Sequence, residues 1–376
     1  MNPSPSIAFL GTGLMGAPMC QNLLSAGLPL TVWNRSLAKA EPLAKRGAVV
    51  ADSPQSAVAD ADVVITMLSD GPVVSAVMFE QGAADAIREG ATRIDMSSIG
   101  ADEAIDHAKR HAERGVRYLD APVSGGTRGA SAGELAIMAG GDAETFATMQ
   151  PVFVPLGQAI HVGPNGCGQL AKLANQVIVA ITIGAVSEAF ILAGGGGADR
   201  AKVREALQGG FASSRILTEH GQRMVKRDFE PGGPARFQLK DLRNALSAAE
   251  RLGLDLPITR LLHDLFDAMV QSGKGGMDHS GLLTHLEALN NITGKNDVTF
   301  TSASPTVALL YPKILDAIQQ INSNRYAGPN LIVMHPRRAA WLQAAVDGND
   351  RPLVVPVANV PQNVMGVGPT AGYGLN

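Results

Sequence analysis

The stretch Ile7-Ala8-Phe9-Leu10-Gly11-Thr12-Gly13-Leu14-Met15-Gly16, with Met19, Leu23 and Leu24 behind it, decides the fold. The short apolar run reads as a buried strand, the glycines as a tight turn, and the apolar positions after them as one face of a helix. Gly11-x-Gly13-x-x-Gly16 suits a dinucleotide. The first glycine permits the turn, the second lets a pyrophosphate approach the backbone, and the third lets helix and strand pack closely. The phosphate then sits at the helix N-terminus. A plain Gly-rich turn is the alternative, and the place of the pattern, after a strand and at the head of an alternating series, argues against it.

Outward from this turn, further strands are predicted over residues 29–33, 48–50, 62–68, 92–96 and 117–122, with Ala-rich helical patterns between them, for example over 37–46 and 73–79. Alternation at this spacing predicts an α/β domain of the Rossmann type, a doubly wound parallel sheet. From about Gly166 only helices are predicted, over 170–193, 201–208, 214–226, 239–252, 257–272 and 281–289, separated by Gly and Pro breaks. The expected organisation is a dinucleotide-binding domain over 1–163, an all-helical domain for substrate and dimerisation over 164–290, and an appended segment over 291–376.

Composition narrows the function. Hydrophobic residues make up 45% of the 376 positions and charged residues 17%, which is enough for large cores and excludes global disorder. Lys plus Arg (31) nearly balances Asp plus Glu (34), so no field gathers nucleic acid or an anionic membrane. The two cysteines, Cys20 and Cys167, form no CxxC or His cluster, so no metal site is expected and a reducing cytoplasm fits. The longest apolar run, 177–186, is too short for a membrane span, and none is expected.

Chemistry concentrates at three further places. The second strand ends in Trp33-Asn34-Arg35-Ser36, with no carboxylate where an NAD-selective domain carries one. Arg35, with Lys39 one turn on, can bind a 2'-phosphate, so NADP(H) is favoured and NAD(H) is the alternative; a merely solvated Arg is the other reading. Ser124-Gly125-Gly126 follows a strand, where consecutive amides can form a nest for a carboxylate or simply a Gly-rich connection. Lys172 and Asn175 share one helix face, and the apolar flanks Leu170, Ala171, Leu173 and Ala174 argue against a solvated Lys. A lysine in such a cleft can donate a proton to an alkoxide forming from a carbonyl. His161 reads as a junction residue, His107 and His111 as members of a polar helix face, and Cys167 as a packed thiol rather than a nucleophile.

Taken in order, Gly11-x-Gly13-x-x-Gly16, Asp120-Ala-Pro-Val-Ser124-Gly125-Gly126-x-x-Gly129-Ala, Gly166-x-Gly168-x-x-x-Lys172-x-x-Asn175 and Lys240-Asp241-Leu242 resemble the β-hydroxyacid dehydrogenases, the family of 3-hydroxyisobutyrate dehydrogenase, tartronate semialdehyde reductase and the glyoxylate/succinic semialdehyde reductases. The resemblance covers about residues 5–290, and the stretch from Gly166 to Ala189, with Asp278-x-Ser280, looks most like the tartronate semialdehyde reductases. It implies an NAD(P)-dependent oxidoreductase of small semialdehydes and hydroxy acids, a cytoplasmic homodimer or homotetramer. It further implies that Lys172 is the general acid/base, that Asn175 orients the substrate, and that Ser124, Gly125, Gly126 and Lys240 also border it. The cofactor is expected against Gly11, Gly13, Leu14, Met15, Gly16, Asn34, Arg35, Met67, Leu68, Ser97 and Lys240. An imine reductase on the same fold is a second reading, against which Lys172 speaks because those relatives usually replace this position.

The chain also departs from the family. Ser69-Asp70-Gly71 stands where many members have Pro, and Gly233-Pro-Ala-Arg-Phe237 stands where relatives often place an aromatic near the substrate. Beyond residue 290, Ser302-x-Ser304-Pro-Thr306, Leu310-Tyr-Pro-Lys-Ile and Ile332-Val-Met-His335-Pro-Arg-Arg338-x-x-Trp341 resemble a fragment of a tailed-phage major capsid protein, an α+β piece. The residue pattern itself predicts an amphipathic helix over 306–322, a strand over 331–334 and, where Gly, Pro and Asn punctuate the chain, a partly disordered end. The capsid resemblance also raises a third reading, a structural or assembly fusion carrying an idle reductase, which the intact motifs disfavour.

Overall fold

Ile7–Leu10 forms β1, with all four side chains buried, because the strand lies at the middle of a sheet covered on both faces. The computed structural model describes residues 4–290; the predictions made for 291–376, capsid-like fragment included, lie outside the described residues. Beside β1 run β2 (Leu30–Trp33), β3 (Val49–Val50), β4 (Val63–Thr66), β5 (Thr92–Asp95) and β6 (Arg117–Asp120), all parallel, in the spatial order β3-β2-β1-β4-β5-β6. That is the doubly wound order, and the chain reverses direction across the sheet between β1 and β4. Two apolar cores lie on the sheet's two faces. One includes Phe9, Met19, Leu23 and Ile65, the other Leu10, Val64, Val74 and Met78.

Strands do not stop at residue 122. Val123–Ser124 (β7), Leu135–Gly141 (β8) and Gly157–Gly163 (β9) extend the sheet, β8 running antiparallel to β6 and β7 and parallel to β9. β8 opens with the apolar run Leu135-Ala-Ile-Met-Ala139, a strand signal that the reading along the sequence passes over, whereas β9 is bracketed by glycines and interrupted by Gln158 and His161. In β9 the exposed positions Gln158, Ile160 and Val162 alternate with half-buried ones, the pattern of an edge strand.

After β9 the described chain is helical throughout. The long helix Cys167–Gly195 is followed by helices at Arg200–Gln208, Arg215–Lys226, Ala235–Arg251, Pro257–Met269 and Leu282–Asn290, each near its expected place. By length and composition the long helix could cross a membrane, which the broken apolar run had concealed. Its Ile183, Gly184, Val186, Ser187 and Phe190 are nevertheless buried against the other helices, as in the central helix of a packed core. The described residues fall within a single unit.

His107 and His111 correct the expectation of a polar face. Helix Ala101–Ala112 buries Ala101, Ala104, His107 and His111 on one side, and both imidazoles pack against Phe79 and above the buried Arg93–Asp95 pair. Burial first, and then the Arg93 charge, holds His107 down at about 4 and His111 at about 2.

Candidate functional site

The carboxyl ends of β1, β4 and β5 converge at the switch point, where open sheets of this type bind ligands. Gly11 has φ 108°, and a Cβ there would stand 2.4 Å from the Met67 carbonyl oxygen. A Cβ on Gly16 would stand 1.9 Å from the Gly11 carbonyl oxygen, so helix and turn touch through bare backbone. Gly13 differs, since a Cβ there would meet nothing within 4 Å. Its missing side chain clears space outside the protein, and Leu14 stands exposed beside it while Met15 packs on the core. Asn34 at the end of β2 accepts from Thr12 N (3.1 Å) and donates to Ser36 O (3.0 Å), so it braces the turn. The Thr12 hydroxyl is buried without a hydrogen-bond partner among the described residues. Arg35 and Lys39 are exposed at the same end of the sheet. The open Gly13 face, the turn over a helix N-terminus and the unpartnered hydroxyl fit a dinucleotide pyrophosphate.

The loops beyond β4 and β5 are tied to one another. Leu68 N donates to Ser97 Oγ (3.0 Å), and Ser97 N donates to the buried Asp95 carboxylate (3.1 Å). Asp70 caps the short helix Gly71–Ser75 by accepting from Val73 N, which is how the chain accommodates Ser69-Asp70-Gly71.

The long helix is fixed to this edge at its first turn. Gly166 caps it with φ 90°, a conformation that favours glycine. The buried Asp120 carboxylate accepts from Gly166 N (2.8 Å) and Gln169 N (3.0 Å). A Cβ on Gly168 would stand 2.3 Å from the Asp120 carbonyl oxygen, which explains why this helix begins Gly-x-Gly. Burial, partly offset by those amides, lifts the Asp120 carboxyl to about 6. Gln169 then donates to Ser97 O (2.9 Å) and accepts from Ile99 N (3.1 Å), pinning the β5 loop to the helix.

One and two turns further on stand Lys172 and Asn175, of which Asn175 meets Ser124. Ser124 Oγ donates to Asn175 Oδ1 (3.3 Å), while Asn175 Nδ2 (2.8 Å) and Lys172 Nζ (2.9 Å) both donate to Gln176 Oε1. Gly125 and Gly126, both at positive φ, open the short helix Gly126–Ala132 beside Ser124, and a Cβ on Gly126 would meet nothing within 4 Å. From helix Ala235–Arg251, Lys240 Nζ donates to Ser98 O (2.8 Å) and Ser69 O (3.3 Å), and Asp241 receives Ser98 Oγ (3.2 Å). Desolvation lowers the proton affinity of Lys172, with Asp241 opposing and Lys240 reinforcing that effect.

The residues singled out from sequence therefore form two adjoining groups at one sheet edge. The first is the turn 11–16 with Asn34, Arg35, Met67, Leu68 and Ser97; the second is Ser124 to Gly126, Lys172, Asn175 and Lys240. Sequence reasoning missed Gln176, Gln238 and Asp241, although Asp241 stood inside a quoted motif and Gln176 beside Asn175. Phe237 is partly exposed and stacked by Arg236, 4.9 Å from its ring centre.

His220, Asp278 and His279 bring three potential ligand atoms within 4.8 Å of one another. Asp278 already accepts from Gly232 N, Gly233 N, Ser280 N and Ser280 Oγ, and Arg223 Nη1 lies 2.6 Å away. A carboxylate so committed, facing a guanidinium, does not fit a cation site.

Comparison with known proteins agrees with this geometry. Residues 6–163 match the model described as the NAD binding domain of 6-phosphogluconate dehydrogenase, and residues 166–286 that described as the NAD-binding domain of NADP-dependent 3-hydroxyisobutyrate dehydrogenase. The chain is 45% identical over 287 residues to 2-hydroxy-3-oxopropionate reductase of Escherichia coli, covering 76% of this chain and 98% of that protein. Among solved structures, Mycobacterium tuberculosis 3-hydroxyisobutyrate dehydrogenase with L-serine matches at 33% identity and TM-score 0.71, covering 76% of this chain and 100% of that one. An imine reductase from Pseudomonas shares the fold at 22% identity and TM-score 0.52, over 76% of this chain and 100% of its own. A turn shaped for a dinucleotide, a lysine and an asparagine on the adjoining helix, and relatives matched over nearly their whole length place the chain in the β-hydroxyacid dehydrogenase family, as an NAD(P)-dependent oxidoreductase.

Proposed function

We propose that this protein reduces small 3-oxo acids, with 2-hydroxy-3-oxopropionate or a close analogue as substrate, and that residues 1–163 form the dinucleotide-binding domain, which also lends Ser124 to Gly126 to the substrate, while residues 164–290 form the substrate and dimerisation domain. The observation that carries this reading is the Ser124–Asn175 hydrogen bond together with the Gln176 amide oxygen that Asn175 and Lys172 share, beside the Gly11–Gly16 turn that would receive a dinucleotide. A bound reduced nicotinamide supplies the hydride. Lys172 protonates the oxygen of the aldehyde as its carbon is reduced, which leaves a primary alcohol. Ser124 and the amides of Gly125 and Gly126 hold the carboxylate, and Asn175 orients the carbonyl. Lys240 bridges the Ser69 and Ser98 carbonyls and so holds the helical part against the cofactor loops. Arg35 favours NADP(H) over NAD(H), because no carboxylate at the end of β2 repels a 2'-phosphate. A homodimer or homotetramer in a reducing cytoplasm belongs to the same reading, with Ile178 and Leu192 of the long helix exposed for contact with another copy.

An NADPH and NADH oxidation screen over three- and four-carbon semialdehydes tests it. The highest kcat/KM is expected with 2-hydroxy-3-oxopropionate and NADPH; no turnover with any 3-oxo acid contradicts it.

A further inference from the structure

Gln176 stands at the centre of the second group with every polar position of its amide engaged. Its Oε1 accepts from Lys172 Nζ (2.9 Å) and Asn175 Nδ2 (2.8 Å), and its Nε2 donates to Asp241 Oδ2 (2.7 Å) with Gln238 Oε1 at 3.4 Å. The orientation of this amide is determined by its neighbours. An ammonium only donates and a carboxylate only accepts, so a flipped amide would face Lys172 with N–H groups and Asp241 with an oxygen. Asp241 is itself held, receiving Ser98 Oγ and lying 3.2 Å from Lys240 Nζ. Asn175 is oriented in turn, its nitrogen toward Gln176 and its oxygen toward the Ser124 hydroxyl. One side chain thus joins both groups that would meet the substrate to the loops that border the cofactor.

We propose that Gln176 is a positioning residue for the reaction proposed above, fixing the Lys172 ammonium and the Asn175 amide relative to each other and transmitting to both the anchorage of Asp241. The inference rests on Lys172 being the proton donor. The charged and titratable groups that face Lys172 are Asp241 and Lys240 from helix Ala235–Arg251 and His279 from the turn before the last described helix. Burial, acting more strongly than the neighbouring Asp278, holds His279 down at about 4, so it is neutral in the working range and Asp241 is the anion that sustains the ammonium.

The test uses the full-length protein with NADPH and 2-hydroxy-3-oxopropionate, comparing Gln176→Leu, Gln176→Glu, Asp241→Asn and Lys172→Ala. Gln176→Leu removes the shared acceptor and should lower kcat about 10- to 100-fold through misplacement of the donor, with the NADPH Kd within about twofold. Gln176→Glu keeps an oxygen for both donors but loses the N–H to Asp241 and sets a second carboxylate against it, so it should recover only part of that loss. Reduction needs protonated Lys172, so activity falls on the alkaline side of its pKa. The added carboxylate of Gln176→Glu should move that limb up, and the charge lost in Asp241→Asn should move it down, each by about half a unit to one unit. A merely structural role would not produce opposite shifts. A folded Gln176→Leu protein with kcat within about twofold of wild type overturns the proposal, and if that variant does not fold, unshifted limbs in the other two overturn it instead. Wild-type turnover by Lys172→Ala would remove the proposed function itself, whereas its inactivation beside an unaffected Gln176→Leu would remove only this inference.

Discussion

Gly13→Ala and Gly16→Ala add the same methyl group three residues apart and should fail in different ways. At Gly16 the new Cβ would stand 1.9 Å from the Gly11 carbonyl oxygen and 3.0 Å from the Phe9 ring. One of those neighbours is backbone and the other a fully buried side chain, so the turn or β1 must shift. Overpacking of this kind costs about 1–3 kcal/mol. At roughly 1.5–2 °C per kcal/mol for a folded part of about 290 residues, the melting temperature should fall by about 2–5 °C. At Gly13 the methyl meets nothing within 4 Å and φ lies outside the left-handed region, so the free protein should melt unchanged or slightly higher, by about 0.4–1 kcal/mol. The methyl does occupy the space a pyrophosphate needs, and the NADPH Kd should rise at least about tenfold, or 1.4 kcal/mol. Thermal unfolding with and without NADPH, together with a fluorescence titration, measures both effects. NADPH binding by Gly13→Ala within twofold of wild type, or a wild-type melting temperature for Gly16→Ala, would show that these glycines are not needed for the reasons given.

Arg35→Ala should weaken NADPH by about 1.5–3 kcal/mol while sparing NADH, since a charge-assisted bond to the 2'-phosphate is lost; equal losses for both cofactors would make Arg35 structural. Burial holds His107 at about 4 and His111 at about 2, below the ordinary value of 6.5, so their stabilisation is present above pH 6.5 and is lost as pH falls, down to about 4 for His107 and about 2 for His111. Each proton contributes a slope of about 1.4 kcal/mol per pH unit, and Asp120, lifted to about 6, offsets one of them between roughly pH 6 and 4. Urea unfolding at several pH values should show His111→Phe with a shallower acid slope than wild type, and identical slopes would refute this account. A chain ending at Asn290 should keep kcat and KM within about twofold, because every motif for cofactor, carboxylate and proton donor precedes it. A folded but inactive truncation would show that the remaining residues contribute to the site.

The parts of this molecule that were legible in sequence are those with local signals. The strand-turn-helix at Ile7–Gly16 needs only its own residues to be read, and the helices after Gly166 announce themselves by apolar period and Gly or Pro breaks. Lys172 and Asn175 stood out because a cation among apolar neighbours is locally anomalous. What escaped depends on partners far along the chain. Gln176 looks like any polar helix residue until Asp241, 65 positions later, reaches its amide. The Gly-x-Gly start of the long helix takes its meaning from Asp120, 46 positions before Gly166. His107 and His111 look solvated in a polar helix, and only Arg93, Phe79 and Tyr118 beneath them make that face interior. β8 is the exception, since its Leu135-Ala-Ile-Met-Ala139 run is a local signal left unread, while β9, with glycine at both ends and Gln158 and His161 within, is defined by its pairing with β8.

Everything proposed for this site turns on Lys172 delivering the proton in a nicotinamide-dependent reduction. Steady-state oxidation of NADPH by 2-hydroxy-3-oxopropionate, measured for wild type and Lys172→Ala beside the NADPH Kd of each, tests it most directly. In the variant kcat should be lower by about 10² to 10⁴, with cofactor binding changed by no more than about twofold. Turnover at the wild-type rate in Lys172→Ala would contradict it.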